Sequence, residues 1–158
     1  MADLSAFNAA PAGQAERYLR DACDSTAFAA AVSAGRPYPD AGALLAAADT
    51  AVEAMSWDDV LEAMSAHPRI GDRAAQPDAR AEQSGVTDAD RAELTEANAA
   101  YEQRFGHIYL VCASGLTGRD MLTDIHRRLA NDQTAERGVA KRELKNITRL
   151  RLQKLLAS

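Results

Sequence analysis

The stretch SAHPRIGDR, residues 65–73, sets an imidazole against a proline at the end of an apolar-faced segment. His67 falls three residues after Met64 and seven after Val60, so it continues their stripe instead of facing water. Pro68 pushes the residue before it out of helical geometry, which puts the imidazole at a helix C-terminus. Unpaired carbonyls there favour the charged ring, and burial favours the neutral one. Opposed influences of that kind can leave a pKa near neutrality, as a general acid or base requires. A histidine that only caps the last carbonyls fits the same spacing and is the commoner case by pattern alone.

Two other positions depart from a purely structural pattern. In the last helical segment Leu144, Ile147, Arg151 and Leu155 share one face, while Arg149 points the other way. An arginine inside an apolar stripe needs an anionic partner or must reach out along its stem. That partner is as commonly an Asp or Glu of the same fold as a ligand. In RAEQSGV, residues 80–86, Glu82 and Gln83 stand side by side before Gly85. A carboxylate beside an amide could fix a polar, urea-like ligand by donor and acceptor pairing, although most such pairs on surfaces bind nothing. His67, His107, His126, Cys23 and Cys112 form no i,i+4 pair and no Cys-x-x-Cys, so no metal site is expected. GLTGRD follows no parallel-strand pattern and reads as a turn into a helix.

The elements that must hold these residues are helical. Alanine occupies 35 of the 158 positions. It loses no side-chain entropy in a helix, whereas the β-branched and aromatic residues that strands favour are sparse here. The composition predicts an all-α fold, and the length suits a single domain over 1–158 with its own core. Helices are expected at about 11–22, 25–34 and 40–54. Another starts at Ser56, with Asp59 completing a capping box and Trp57, Val60, Leu61 and Met64 forming its apolar stripe. PRIGDRAAQPDAR, 68–80, reads as loop. Thr87 or Asp88 opens a helix whose Leu94, Asn98, Tyr101 and Phe105 share a face, and Gly106 ends it. HIYLVCAS, 107–114, reads as extended and buried. Thr117 and Asp120 form a second capping box ahead of Met121, Leu122, Ile125 and Leu129, and a last helix runs over about 133–156, its charges mostly facing solvent.

Net charge is −5 with no basic stripe, which argues against nucleic acid as a partner. No stretch approaches the roughly 18 uninterrupted apolar residues of a membrane span. The first residues lack the basic-then-apolar order of a secretory signal, so a cytoplasmic location is expected. Cys23 and Cys112 lie far apart and read as core thiols.

Taken together, AHPRIGDR, EQSGV, YEQRFGHIYLVCASG and RLANDQTAERGVAKRELKNITRLRL resemble the decarboxylases of 2-oxo-4-hydroxy-4-carboxy-5-ureidoimidazoline (OHCU) in urate degradation. LSAFNAAP near the start and AGRPYPD further on extend the likeness, in order, over nearly the whole chain. The resemblance implies a compact bundle of about eight helices. It implies a homodimer that converts OHCU to (S)-allantoin and carbon dioxide without metal or organic cofactor. Carried over residue by residue, it makes His67 the proton-transfer group, with Pro68 behind it in contact with substrate. Glu82 would hold the substrate and tune His67, Gln83 would read the ureido group, and Arg151 would orient anionic or carbonyl oxygen. The backbone near Val111 would meet the ring. Ala79 departs from the pattern, since a serine commonly stands there in the family. The resemblance leaves open an association with hydroxyisourate hydrolase. Two rivals remain at this point. A non-catalytic helical module that binds a ureide or a protein would need no titrating histidine. Hydrolysis of a related urate product would call for an activated water.

Overall fold

The computed structural model describes residues 3–71 and 81–157. None of the described residues is in a strand, residues 81–82 are helical, and eight further helices lie wholly within these residues. They are α1 (Leu4–Ala9), α2 (Ala12–Ala22), α3 (Thr26–Ala34), α4 (Ala41–Glu53), α5 (Trp57–Met64), α6 (Asp88–Phe105), α7 (Gly118–Arg128) and α8 (Gln133–Ala157). They sort into two compact units, Met1–Ala66 with Leu144–Ser158, and His67–Glu143.

The first unit is held by short helices with explicit starts. Asp3, Ser25 and Asp40 each accept a hydrogen bond from the backbone N–H three residues on, and Ser56 and Asp59 form the expected capping box. Each cap satisfies a donor that the first turn leaves without a partner and contributes about 1 kcal/mol. Helix α1 was not expected from the pattern, because six residues carry too little periodicity to register. It is fixed by two segments that carry the family likeness. Arg36 donates to the carbonyls of Phe7 (2.8 Å) and Ala10 (2.6 Å), while the Asn8 amide exchanges two 2.9 Å hydrogen bonds with the Tyr38 backbone. Phe7, Leu19, Phe28, Leu44, Val52, Val60, Leu144 and Leu152 are fully or almost fully buried. In α5 the buried face is Val60, Ala63 and Met64; Leu61, expected inside, is 37% exposed. The stripe turns toward Ala63, whose single methyl does not announce itself in a sequence pattern.

The second unit is built on α6. Leu94, Asn98, Tyr101 and Phe105 are buried on one face, as their spacing predicts, and Gly106 stops the helix in the left-handed region at φ 79°. The following residues, 107–117, form neither helix nor strand, and Tyr109, Leu110, Val111 and Ala113 are buried. Thr117 and Asp120 open α7 as a capping box, and Met121, Leu122 and Ile125 join the core. Ile70, Val86, Leu94, Tyr101, Tyr109, Val111 and Ile125 belong to one apolar cluster. That cluster ties together the three non-helical stretches on which His67, Gln83 and Val111 lie.

Candidate active site

Helix α5 ends at Met64, and Ser65 closes it by donating its hydroxyl to the Glu62 carbonyl (2.6 Å). His67 and Pro68 follow, both half-buried and outside helical geometry. The turn behind them is gripped by side chains of α6. Asn98 Nδ2 donates to the Ile70 carbonyl (2.6 Å), and Arg91 donates to the Gly71 carbonyl (2.6 Å). The Arg69 guanidinium meets the Glu102 carboxylate with two prongs, Nε–Oε2 and Nη2–Oε1, both at 2.9 Å. Gly71 has φ 92°, where a side chain is strained, and a Cβ there would press on Leu94.

The Glu82–Gln83 segment comes to the same turn. Gln83 Oε1 accepts the Gly71 N–H at 3.1 Å, so the amide oxygen is tied to the turn. That bond orients the amide, whose NH₂ keeps two donors and whose oxygen keeps one lone pair for a ligand. Two glycines let this segment seat against the start of α7. The Gly118 N–H donates to the Gly85 carbonyl (3.2 Å), and a Cβ on Gly85 would collide with the Leu116 carbonyl. Glu82 is half-buried and, like His67, engaged by other groups.

Val111 sits between two anchored neighbours. Arg128 Nη1 donates to the Leu110 carbonyl (2.8 Å), and the Cys112 N–H reaches Glu143 Oε2 (3.4 Å). Among the described residues, no hydrogen bond occupies the N–H or carbonyl of Val111 itself, although the residue is buried. His107 is buried against Phe105 and Tyr101, with Nδ1 3.0 Å from the Ile108 carbonyl.

Behind this segment lies a group of buried charges for which the sequence pattern raised no expectation. Arg128 is 2% exposed and Glu136 0%; their guanidinium and carboxylate meet at 2.7 and 2.8 Å. Tyr101 donates its hydroxyl to Glu136, Tyr109 donates to Asp124 (2.6 Å), and the guanidinium lies 4.7 Å from the Tyr109 ring centroid. Burial works against the Arg128 charge, but the hydrogen bond and charge of Glu136 outweigh it and hold its pKa above the ordinary value. Burial, reinforced by the carboxylate each hydroxyl faces, also raises both tyrosines. The signal was present in the spacing. Arg128 continues the stripe of Met121 and Ile125, and Glu136 that of Ala140 and Leu144.

Arg151 belongs to the first unit, on α8, half-buried beside the buried Ile147, Thr148 and Leu152. Its charge acts on the Cys23 thiol and partly offsets the burial that pushes that thiol up to about 12. Ala79 lies outside the described residues. A pocket of about 340 Å³ lined by Arg69, Thr95, Asn98, Ala99 and Glu102 holds none of the predicted site residues and is not the candidate site. Among the described residues, no three His, Cys, Asp or Glu side chains are grouped to hold a metal, and no helix is long and apolar enough to cross a membrane.

The family model "OHCU decarboxylase" matches residues 8–153. The uric acid degradation bifunctional protein of Arabidopsis thaliana is 34% identical in an alignment of 146 residues that covers 85% of this chain and 45% of that protein. The chain therefore spans less than half of that relative's length. A 2-oxo-4-hydroxy-4-carboxy-5-ureidoimidazoline decarboxylase of Amia calva is 32% identical over 81% of this chain and 79% of its own. Among solved structures, an OHCU decarboxylase crystallised in the presence of (S)-allantoin superposes with TM-score 0.80 at 30% identity, covering 90% of this chain and 99% of its own. An (S)-allantoin synthase shares the fold at 20% identity, with TM-score 0.75 over 98% of this chain and 53% of that one. The chain belongs to the OHCU decarboxylase family.

Proposed function

We propose that the protein converts OHCU to (S)-allantoin and carbon dioxide, with residues 1–158 acting as one catalytic domain. The observation that carries this reading is the His67–Pro68 turn, held by α6 and joined through Gly71 to Gln83, in a chain matched by the family over residues 8–153. In the reaction, the bond between the carboxylate and the ring carbon breaks. Its electron pair passes into the ring as carbon dioxide leaves, and a proton is then added to the ureido-bearing carbon from one face. His67 carries that proton, because an imidazole both gives and takes one near neutral pH. Glu82 holds the substrate and tunes His67, and Pro68 packs against the ring. Gln83 donates its NH₂ to the ureido carbonyl, and the Val111 peptide meets a ring heteroatom. Arg151 grips carboxylate or carbonyl oxygen through its planar fork. Neutral carbon dioxide forms from an anion, so apolar walls such as Phe105, Ile108 and Leu110 favour the step. No metal or organic cofactor is needed for any of these roles.

The same reading places the protein in the cytoplasm as a homodimer. It also allows a functional association with a hydroxyisourate hydrolase, suggested by a relative that carries this region within a bifunctional chain. The test is a coupled assay from urate, with urate oxidase and hydroxyisourate hydrolase supplying OHCU. Circular dichroism should show optically active allantoin forming far faster than in the protein's absence. An unchanged rate and a racemic product would leave only a binding role.

A further inference from the structure

No helix or strand runs through residues 67–71, so the position of His67 depends on what holds the turn behind it. Three side chains on one face of α6 hold it: Arg91, Asn98 and Glu102. The Arg69–Glu102 pair is an exposed ion pair, 53% and 26% accessible at its two side chains, and solvent screens it. Asn98 is different. It is 3% exposed, and its Nδ2 makes a 2.6 Å hydrogen bond to the Ile70 carbonyl. Its Oδ1 is buried with no hydrogen-bond partner among the described residues. A buried amide with one atom unmatched among the described residues adds less to stability than a fully paired one, because burying an unmatched polar atom is costly. The arrangement makes sense if the gain lies in where the Ile70 carbonyl is put. We infer that Asn98 is a positioning residue for the reaction: it fixes the Ile70 carbonyl, and with it the turn that presents His67, without touching substrate. The inference rests on the reading of His67 as the proton-transfer group.

Two substitutions separate positioning from packing. Asn98→Leu keeps the γ-branched outline, adds some volume and removes the donor. Asn98→Asp keeps the shape and makes the donor depend on pH, since only the protonated carboxyl can donate to Ile70. That carboxyl would face Glu102 and Arg91 from α6 and Arg69 from the turn, with the neutral Gln83 amide reaching the same turn. Burial favours its neutral form as pH falls. Assayed on OHCU, folded Asn98→Leu should lose roughly tenfold or more in kcat, with KM within about twofold of native. For Asn98→Asp, kcat relative to the native enzyme should rise at least about threefold between pH 8 and pH 5.5. The His67 ring signal in a ¹H–¹³C spectrum should move in both variants at pH 8, an outcome that needs no turnover. Native kcat in either folded variant at pH 8, a pH-independent ratio for Asn98→Asp, or an unmoved His67 signal would overturn the inference. His67→Asn measured alongside keeps the two ideas apart. Activity lost there but kept in the Asn98 variants sinks only the positioning role, whereas activity kept in His67→Asn sinks the reading beneath it.

Discussion

The two compact units bury different chemistry. In the first, the polar residues inside are Ser25, Ser33 and Thr148, all small hydroxyls. Ser25 caps α3, and Thr148 returns its hydrogen bond to the Leu144 carbonyl of its own helix (2.8 Å). The other buried residues described there are apolar, with Cys23 as a small thiol among them. The second unit buries Asp90, Asn98, His107, Arg128 and Glu136. An apolar interior is set by volume and tolerates exchange of one hydrophobe for another. A buried polar network demands geometry, because each unmatched group is costly in a low-dielectric interior. In the second unit that demand falls on stretches without regular structure. Asn98 and Arg91 hold residues 70 and 71, and Arg128 holds Leu110. Those are the stretches next to His67 and Val111. Helices alone position side chains well, but a turn that must present an imidazole needs polar clamps.

This contrast can be broken most forcefully at Arg128. Arg128→Met leaves Glu136 buried without its cation, and chemical denaturation should show a loss of about 3–5 kcal/mol. The double variant Arg128→Met with Glu136→Leu should recover most of that loss. Equal destabilisation of the single and double variants would mean the pair is not the source. At alkaline pH the tyrosines of the second unit give an intermediate effect. Tyr101 and Tyr109 have raised pKa values when folded, so their contribution is fully present below the unfolded value near 10 and is lost as pH climbs above it. Each should cost about 1.4 kcal/mol per pH unit above roughly 10 while the fold persists. Ultraviolet titration should show Tyr101 and Tyr109 ionising only on unfolding; two phenols titrating near 10 in folded Tyr18→Phe/Tyr38→Phe protein would contradict that assignment. The smallest effect belongs to the first unit. Thr148→Val should shift stability by less than about 1 kcal/mol, since the Leu144 carbonyl keeps its helical bond. Cys23, with burial pushing its thiol up to about 12, should react with a thiol reagent at pH 8 only as fast as the protein opens. Rapid modification of native Cys23 would show that this interior is looser than its burial indicates.

The starts of the helices were the most legible part of the sequence, because caps are local. Ser56 with Asp59 and Thr117 with Asp120 are chemical statements complete within four residues. The α6 face was legible too, since Leu94, Asn98, Tyr101 and Phe105 repeat at helical spacing. Leu61 reads as buried on hydrophobicity, but Ala63 takes the inner face, packing closely with less surface. Arg128 and Glu136 are hard to read as buried, because a charge near a helix end ordinarily faces water, and only a partner from another element makes its burial tolerable. The candidate site divides along the same line. His67 and Arg151 stood out as polar residues on apolar stripes. The hydrogen bonds from Asn98 to Ile70 and from Gly71 to Gln83 join residues 28 and 12 positions apart, and no local pattern encodes them.

The role of His67 is the centre of this account, and the stereochemistry of the product tests it most directly. Freshly generated OHCU should be given to the native protein and to His67→Asn at neutral pH, with rate and optical activity followed together by circular dichroism. Asparagine keeps a polar side chain of similar reach, so a contact at the end of α5 could persist and melting should change by no more than a cap is worth, about 1 kcal/mol. The native protein should give one enantiomer of allantoin. The variant should remain folded, lose nearly all acceleration and leave a slow, racemic product, because the unassisted reaction has no chiral surface to choose the protonated face. A folded His67→Asn protein that still makes (S)-allantoin at the native rate would contradict the assignment.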